Sequence, residues 1–302
     1  MIEVSDLTVN YGQIKALDGV SFKVPDGKVV GFVGVNGAGK TTTIKVASGV
    51  LKPTSGTVLI DGLDVVREKA KASRSMGWVP ELPTYEQGVK AMDYFVYLAG
   101  YYGLSGAEAK KVGQDLFRQL GLLESSKKRL KEYSQGMKKR FALAVSLLND
   151  PHNFLMDEVM NGLDPQGIAF FRDKTVEFRK EGKAVLFSSH ILSEVQSIAD
   201  EVVFIHKGRI LAVKSMDEIL SLAQTPGVRV TLSNPDARVV DILSSFGEVK
   251  DLGKGSYELA GPKVSPEDLN SMLVQQGYKV SGIERVTGNL ESYFFKLIGE
   301  QQ

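Results

Sequence analysis

Through residues 1–60 apolar and polar positions alternate in short runs, the two-residue period of half-buried strands. The chain starts in that pattern, with Met1-Ile2-Glu3-Val4-Ser5-Asp6. Val29 to Val33 predicts a strand, a glycine-rich segment from Gly34 to Lys40 follows, and a helical pattern begins directly behind it. From Val89 to Leu148 the spacing turns helical, with glycine punctuation. Phe154-Leu155-Met156 and Ala184-Val185-Leu186-Phe187 then predict buried strands alternating with helices. That succession predicts an α/β fold with a parallel core, into which a helical subdomain of about residues 88–150 is inserted.

The rhythm changes after Gln224-Thr225-Pro226-Gly227. Val228 to Glu284 predicts strand, helix, strand, strand, helix, strand, and a last helix follows near Leu290 to Leu297. This is the order of a split βαβ, ferredoxin-like unit. The expectation is a first domain over 1–225, a boundary near Pro226, and a small α+β domain over 226–302.

Composition narrows the classes. A chain of 302 residues with 43% apolar content can bury one large core and a smaller one. Lys and Arg number 37 against 36 for Asp and Glu, so net charge gives no bias toward polyanions, and no nucleic-acid partner is expected. The absence of cysteine excludes a disulfide framework, a thiolate metal site and a cysteine nucleophile. The amino terminus lacks the pattern of a signal peptide. No apolar stretch reaches the roughly 18 residues that cross a bilayer. A membrane role would therefore need another chain.

The strongest local motif is Gly34-Val35-Asn36-Gly37-Ala38-Gly39-Lys40-Thr41, with Thr42 opening the helix-like stretch beyond it. It satisfies G-x-x-x-x-G-K-[ST] in the strand-loop-helix context the motif requires. Glycines let successive backbone N–H groups turn toward a phosphate, and the following helix points its positive end at the same anion. Lys40 is expected to neutralise the β- and γ-phosphates of ATP, and the Thr41 hydroxyl to ligate Mg²⁺. A dinucleotide fold is the nearer competitor, but the G-x-G-x-x-G spacing is absent. Asp157-Glu158, at the end of a buried apolar run, supplies an acid for the metal's water shell and a general base for the attacking water.

Together with these, five further motifs make the chain resemble the ATP-binding subunits of ABC transporters over roughly Met1 to Val213. The resemblance implies that Tyr11 stacks on adenine. It also implies that Tyr133-Ser134-Gln135-Gly136-Met137 is the signature, with Ser134, Gln135 and Gly136 reaching the γ-phosphate of ATP on a partner subunit. Asn161-Gly162-Leu163-Asp164 matches the loop that communicates between two sites, and Asp164 is expected to face the partner's ATP. His190 matches the switch histidine at the γ-phosphate. Glu81, after Gly77-Trp78-Val79-Pro80, stands where the family usually has a glutamine ligand to Mg²⁺. It keeps an oxygen ligand and adds a charge. Gln135 replaces a glycine of the usual signature, and Val159-Met160 replace the usual Pro-Thr.

The resemblance further implies two ATPase cores, in a homodimer, that close head to tail around two ATPs and drive a separate transmembrane subunit. The chain would then be cytoplasmic, lying on the inner face of the membrane through that subunit. Asn289-Leu290-Glu291-Ser292-Tyr293-Phe294 resembles the tails of prokaryotic drug- or lipid-export ATPases. A soluble ABC ATPase that remodels ribosomes or DNA predicts two fused cores or a long coiled coil instead, and neither is present. A third reading makes the C-terminal unit a small-molecule sensor. The aromatics Tyr94, Phe95, Tyr97, Tyr101 and Tyr102 fit core, with part of the stripe left for the membrane subunit. Lys127-Lys128-Arg129 and Lys138-Lys139-Arg140 fit a solvated helix face, and His152 and His206 lack ligand-like spacing.

Overall fold

A computed structural model describes residues 1–223, 227–286 and 290–299. Two compact units divide the chain, Met1–Ser215 and Met216–Gln302. The boundary expected near Pro226 lies outside the described residues. The division between compact units comes earlier, ahead of the helix Met216–Ala223.

In the first unit, the alternating amino-terminal segment forms an antiparallel sheet from the strands Ile2–Tyr11, Ile14–Val24, Ser55–Ile60 and Leu63–Asp64. Its inward positions, among them Ile2, Val4, Leu7, Val20 and Val58, are buried. A six-stranded sheet carries the chemistry. Its order is Arg209–Ser215, Glu201–His206, Val29–Val33, Ala184–Ser189, Asn153–Asp157 and Met76–Val79. The pair Arg209–Ser215 and Glu201–His206 is antiparallel, and every other neighbouring pair is parallel.

Val29–Val33, Asn153–Asp157 and Ala184–Ser189 are buried at every position, which is why they read as unbroken apolar runs. Phe154 stacks face to face on Phe178 of the helix Pro165–Lys180, ring centroids 4.1 Å apart. Parallel strands of this kind end together, and the loops beyond their carboxyl ends form the crevice where α/β sheets bind ligands.

Between Met76–Val79 and Asn153–Asp157 lie the helices Ala91–Gly100, Gly106–Gln119 and Gln135–Ser146. Ser105 and Glu108 close a reciprocal capping box on the second of them. Phe95, Phe117 and Phe141, one from each helix, meet edge to face and are fully buried. The aromatic stripe therefore splits: Phe95 is core, whereas Tyr97 is 58% and Tyr101 75% exposed.

The second unit runs through the strands Gly227–Leu232, Glu248–Gly253, Ser256–Ala260 and Val280–Val286, with the helices Val239–Ser244 and Pro266–Gln275 between them. The sheet order is Glu248–Gly253, Ser256–Ala260, Gly227–Leu232, Val280–Val286, antiparallel throughout. Val228, Val230, Leu232 and Leu259 from the sheet pack against Leu243, Leu269 and Leu273 from the helices, a core of its own. The helices Met216–Ala223 and Leu290–Gly299 pack together within this unit.

Candidate functional site

The loop Gly34 to Gly39 joins the buried strand Val29–Val33 to the helix Lys40–Ala47. Gly39 has φ 114, which an L side chain rarely adopts, and a Cβ on Gly34 would stand 2.4 Å from the carbonyl oxygen of Ile205. Gly39 caps the helix without a side chain, so the N–H groups of the first turn are left for an anion. Lys40 is buried, and its Nζ donates to the carbonyls of Gly34 (2.6 Å) and Val35 (3.3 Å).

Asp157 ends a wholly buried strand. Its Oδ1 accepts from the hydroxyls of Ser188 (2.7 Å) and Thr41 (3.3 Å). Burial pushes its pKa above the usual carboxylate range, against the pull of those two hydroxyls. Glu158 turns the chain at φ 47, a left-handed conformation that costs a non-glycine residue roughly 1–3 kcal/mol unless its surroundings hold it. Ser188 does so, since its carbonyl and its Oγ both accept from the Glu158 N–H, at 3.2 and 3.0 Å. The Glu158 carboxylate lies between two nitrogens: Lys40 Nζ is 3.3 Å from Oε1 and His190 Nδ1 is 2.8 Å from Oε2.

A cleft of about 420 Å³ opens here, lined by Asn36, Gly37, Lys40, Thr41, Thr42 and Glu158, with Ala16, Gly39, Glu81, Asn161 and His190 completing its wall. That size falls within the range of ligand sites, which is roughly 300–1,000 Å³. Thr41 and Glu81 also line a neighbouring cleft with Asp157 and Trp78, so the three oxygen donors expected at a metal surround adjoining space. Among the described residues no three His, Asp or Glu side chains form a self-contained metal cage. That donor set fits Mg²⁺, which takes one or two protein oxygens and completes its shell with phosphate oxygens and water.

The remaining expected residues are spread over other parts of the unit. Tyr11 is 48% exposed at the tip of the hairpin it forms with Ile14, and Ala16, not Tyr11, lines the cleft. Val35 is exposed and Ala38 buried. Ser134 is the N-cap of the helix Gln135–Ser146, its side chain accepting from the N–H of Met137. Ser134 and Gln135 are exposed. Gly136 approaches Leu163, so the start of this helix abuts the loop Asn161 to Asp164 of the same chain. Asp164 caps the next helix, its Oδ1 accepting from the N–H of Gly167 at 2.9 Å. Val159 and Met160 are buried, so apolar packing serves where the family uses Pro-Thr.

One expectation is overturned. Lys127, Lys128 and Arg129 are exposed as a solvated run should be, but Lys139 is buried. Its helix face points inward, shared with Ala142 and Leu143 three and four residues on, both of them buried. Two further residues, Ser188 and Lys139, hydrogen-bond to the paired acids or their turn without having been expected at the site. Ser188 stands in a strand buried at every position, where a hydroxyl must find partners, and that is its legible signal. Lys139 has no such signal, because a cation within a basic run looks solvated until the helix is placed.

Residues 17–161 match the family model described as ABC transporter. The bacitracin transport ATP-binding protein BcrA of Bacillus licheniformis is 33% identical over 99% of this chain and 97% of that protein. The lantibiotic transport ATP-binding protein SrtF of Streptococcus pyogenes is 35% identical over 72% of this chain and 92% of its own length. Among solved structures, one described as an ATP binding subunit of an ABC transporter superposes with a TM-score of 0.67 at 31% identity, covering 74% of this chain and 92% of that one. With a P-loop NTPase core and a phosphate loop beside paired acids, this chain belongs to the ATP-binding subunits of ABC transporters, and its activity is ATP hydrolysis.

Proposed function

We propose that this subunit drives an export transporter through ATP-dependent closure of two copies of the chain, in the cytoplasm at the inner face of the membrane. The observation that carries the catalytic part is the Glu158 carboxylate held between Lys40 and His190 at the cleft. Glu158 takes the proton of the attacking water, Lys40 offsets charge on the β- and γ-phosphates, and His190 orients the base and senses the γ-phosphate. Thr41, Glu81 and Asp157 would hold Mg²⁺, which when bound would supply positive charge against the phosphate oxygens. The N–H groups from Gly34 to Thr42 cradle the phosphates, and Tyr11 stacks on adenine when the hairpin tip meets the nucleotide.

Ser134, Gln135 and Gly136 hold the γ-phosphate of ATP bound to the second copy, with Asp164 fixing the adjoining loop. The exposure of Ser134 and Gln135 supports this, since residues serving a partner's site must be reachable. The helices between Ala91 and Ser146 serve as the inserted subdomain that grips the membrane subunit. Exposed Tyr97 and Tyr101 support that use.

The antiparallel sheet order of the second unit, with each strand-helix-strand crossover skipping one strand, supports a ferredoxin-like accessory domain. Transport is supported by the names of the relatives, one of them for bacitracin across nearly the full length, and the outward direction is the part the following test decides. Inside-out vesicles carrying the complex should accumulate bacitracin when supplied with MgATP, and Glu158→Gln vesicles should not. Accumulation only in right-side-out vesicles would reverse the direction.

A further inference from the structure

Lys139 lies on the helix Gln135–Ser146 and is 1% exposed. A buried ammonium persists only where acceptors take its protons and counter-charge stands near. Here Nζ donates to the carbonyl of Glu158 at 3.0 Å and to that of Asn161 at 2.8 Å. Burial lowers its pKa, and the carboxylates of Glu81, Glu158 and Asp157 pull the other way.

The two carbonyls bound by Lys139 bracket a tight turn, which the Asn161 N–H closes on the Glu158 carbonyl at 3.1 Å. This turn carries the left-handed Glu158. Asn161 also reaches outward, its Nδ2 donating to Glu81 Oε1 at 3.4 Å. A single ammonium therefore touches the main chain of the proposed base and the residue that contacts Glu81. Its own helix begins at Ser134.

We propose that Lys139 is a positioning residue that locks the helix begun at Ser134 to the turn carrying Glu158. Engagement of Ser134 by ATP on the second copy then sets the Glu158 carboxylate in the chain's own cleft. The inference rests on the roles proposed above for Ser134 and Glu158. The lock is stiff because buried charge-assisted bonds have no water to replace them, whereas a solvated lysine would let helix and turn slide independently. A misplacement of about 1 Å at a reacting group lowers a rate roughly 10²-fold, which is the scale expected if the lock is removed.

The test uses the full-length chain. Lys139→Met keeps the length and apolar stem of the side chain but removes its donors, and Lys139→Arg restores donors. In Lys139→Met, kcat should fall about 30- to 100-fold while MgATP affinity stays within about twofold of wild type. Lys139→Arg should recover at least a third of wild-type kcat. Combined with Ser134→Ala, Lys139→Met should add little further loss, since both break one line of communication.

Wild-type kcat in Lys139→Met would overturn the proposal, as would proportional loss of binding and turnover, which marks a structural role alone. Fully additive losses in the double variant would overturn the link to Ser134. Should Lys139→Met fail to fold, Lys139→Leu, which is also apolar and without a donor, takes its place with the same criteria. A Glu158→Gln control separates the two readings: wild-type turnover there overturns the base assignment, while the Lys139 variants still judge the lock by their own kcat.

Discussion

Asp157 and Glu158 are consecutive, yet their surroundings divide the work between them. Asp157 is buried with its charge disfavoured, and it accepts two hydroxyl hydrogen bonds. Glu158 leaves the strand by a left-handed turn that presents its carboxylate to Lys40 and His190. Replacing Glu158 with Gln keeps the shape and removes the proton acceptor, so kcat should fall roughly 10²- to 10⁴-fold. MgATP should then hold the chain as a dimer on sizing chromatography. A monomer at high protein concentration, or an unchanged rate, would count against the assigned role.

Asp157 makes the opposite trade. Its folded-state pKa is raised, so the native state binds this proton more tightly than the unfolded chain does. The associated stability is full at acid pH and is lost as pH rises from the ordinary carboxylate range through the folded-state pKa. Asp157→Asn should therefore raise the melting temperature in EDTA at neutral pH, by about 2–4 °C for roughly 1 kcal/mol, and flatten its pH dependence. It should weaken Mg²⁺-dependent turnover at the same time. A lower melting temperature with unchanged turnover would contradict both halves.

At the scale of elements, Ser134 has two jobs that one substitution can separate. As an N-cap it is worth about 1 kcal/mol to its helix, and Asp caps equally well. Ser134→Asp should thus leave the melting temperature within about 2 °C while placing a negative charge where a partner's γ-phosphate is proposed to sit. ATP-dependent dimerisation should be lost and monomer nucleotide affinity kept; dimerisation at wild-type concentration would remove Ser134 from the interface. The elements themselves were legible because their signals are local. Val29–Val33, Asn153–Asp157 and Ala184–Ser189 are apolar throughout since both faces are covered, and the phosphate loop lies within eight consecutive residues, Gly34 to Thr41. The bonds from Ser188 to Asp157 and from Lys139 to the Glu158 turn were not, because they join segments distant in sequence whose approach is set by sheet order and helix packing. Tyr11 shows the converse: its strand is evident from alternation, but its exposed place at the hairpin tip follows from register.

At the scale of the whole molecule, the residues proposed to meet phosphate, metal or water all belong to the unit Met1–Ser215, and the second unit holds a separate apolar core. A unit with its own core can be removed without opening the interior of its neighbour, so residues 1–215 should fold and bind MgATP. Cutting after Ser215 rather than near Pro226 keeps the helix Met216–Ala223 with the helix Leu290–Gly299 it packs against. A fragment ending at 225 would carry the first of these alone, with an apolar face uncovered, and should be the less soluble of the two. If the accessory unit steadies the dimer, the ATPase rate of the fragment should depend more steeply on protein concentration than that of the full chain, by mass action on a weakened association. Nucleotide titration and ATPase assays across a hundredfold range of concentration decide the matter. A folded 1–215 fragment without affinity for MgATP would place part of the nucleotide site beyond Ser215, and equal concentration dependence in both forms would deny the second unit any part in assembly.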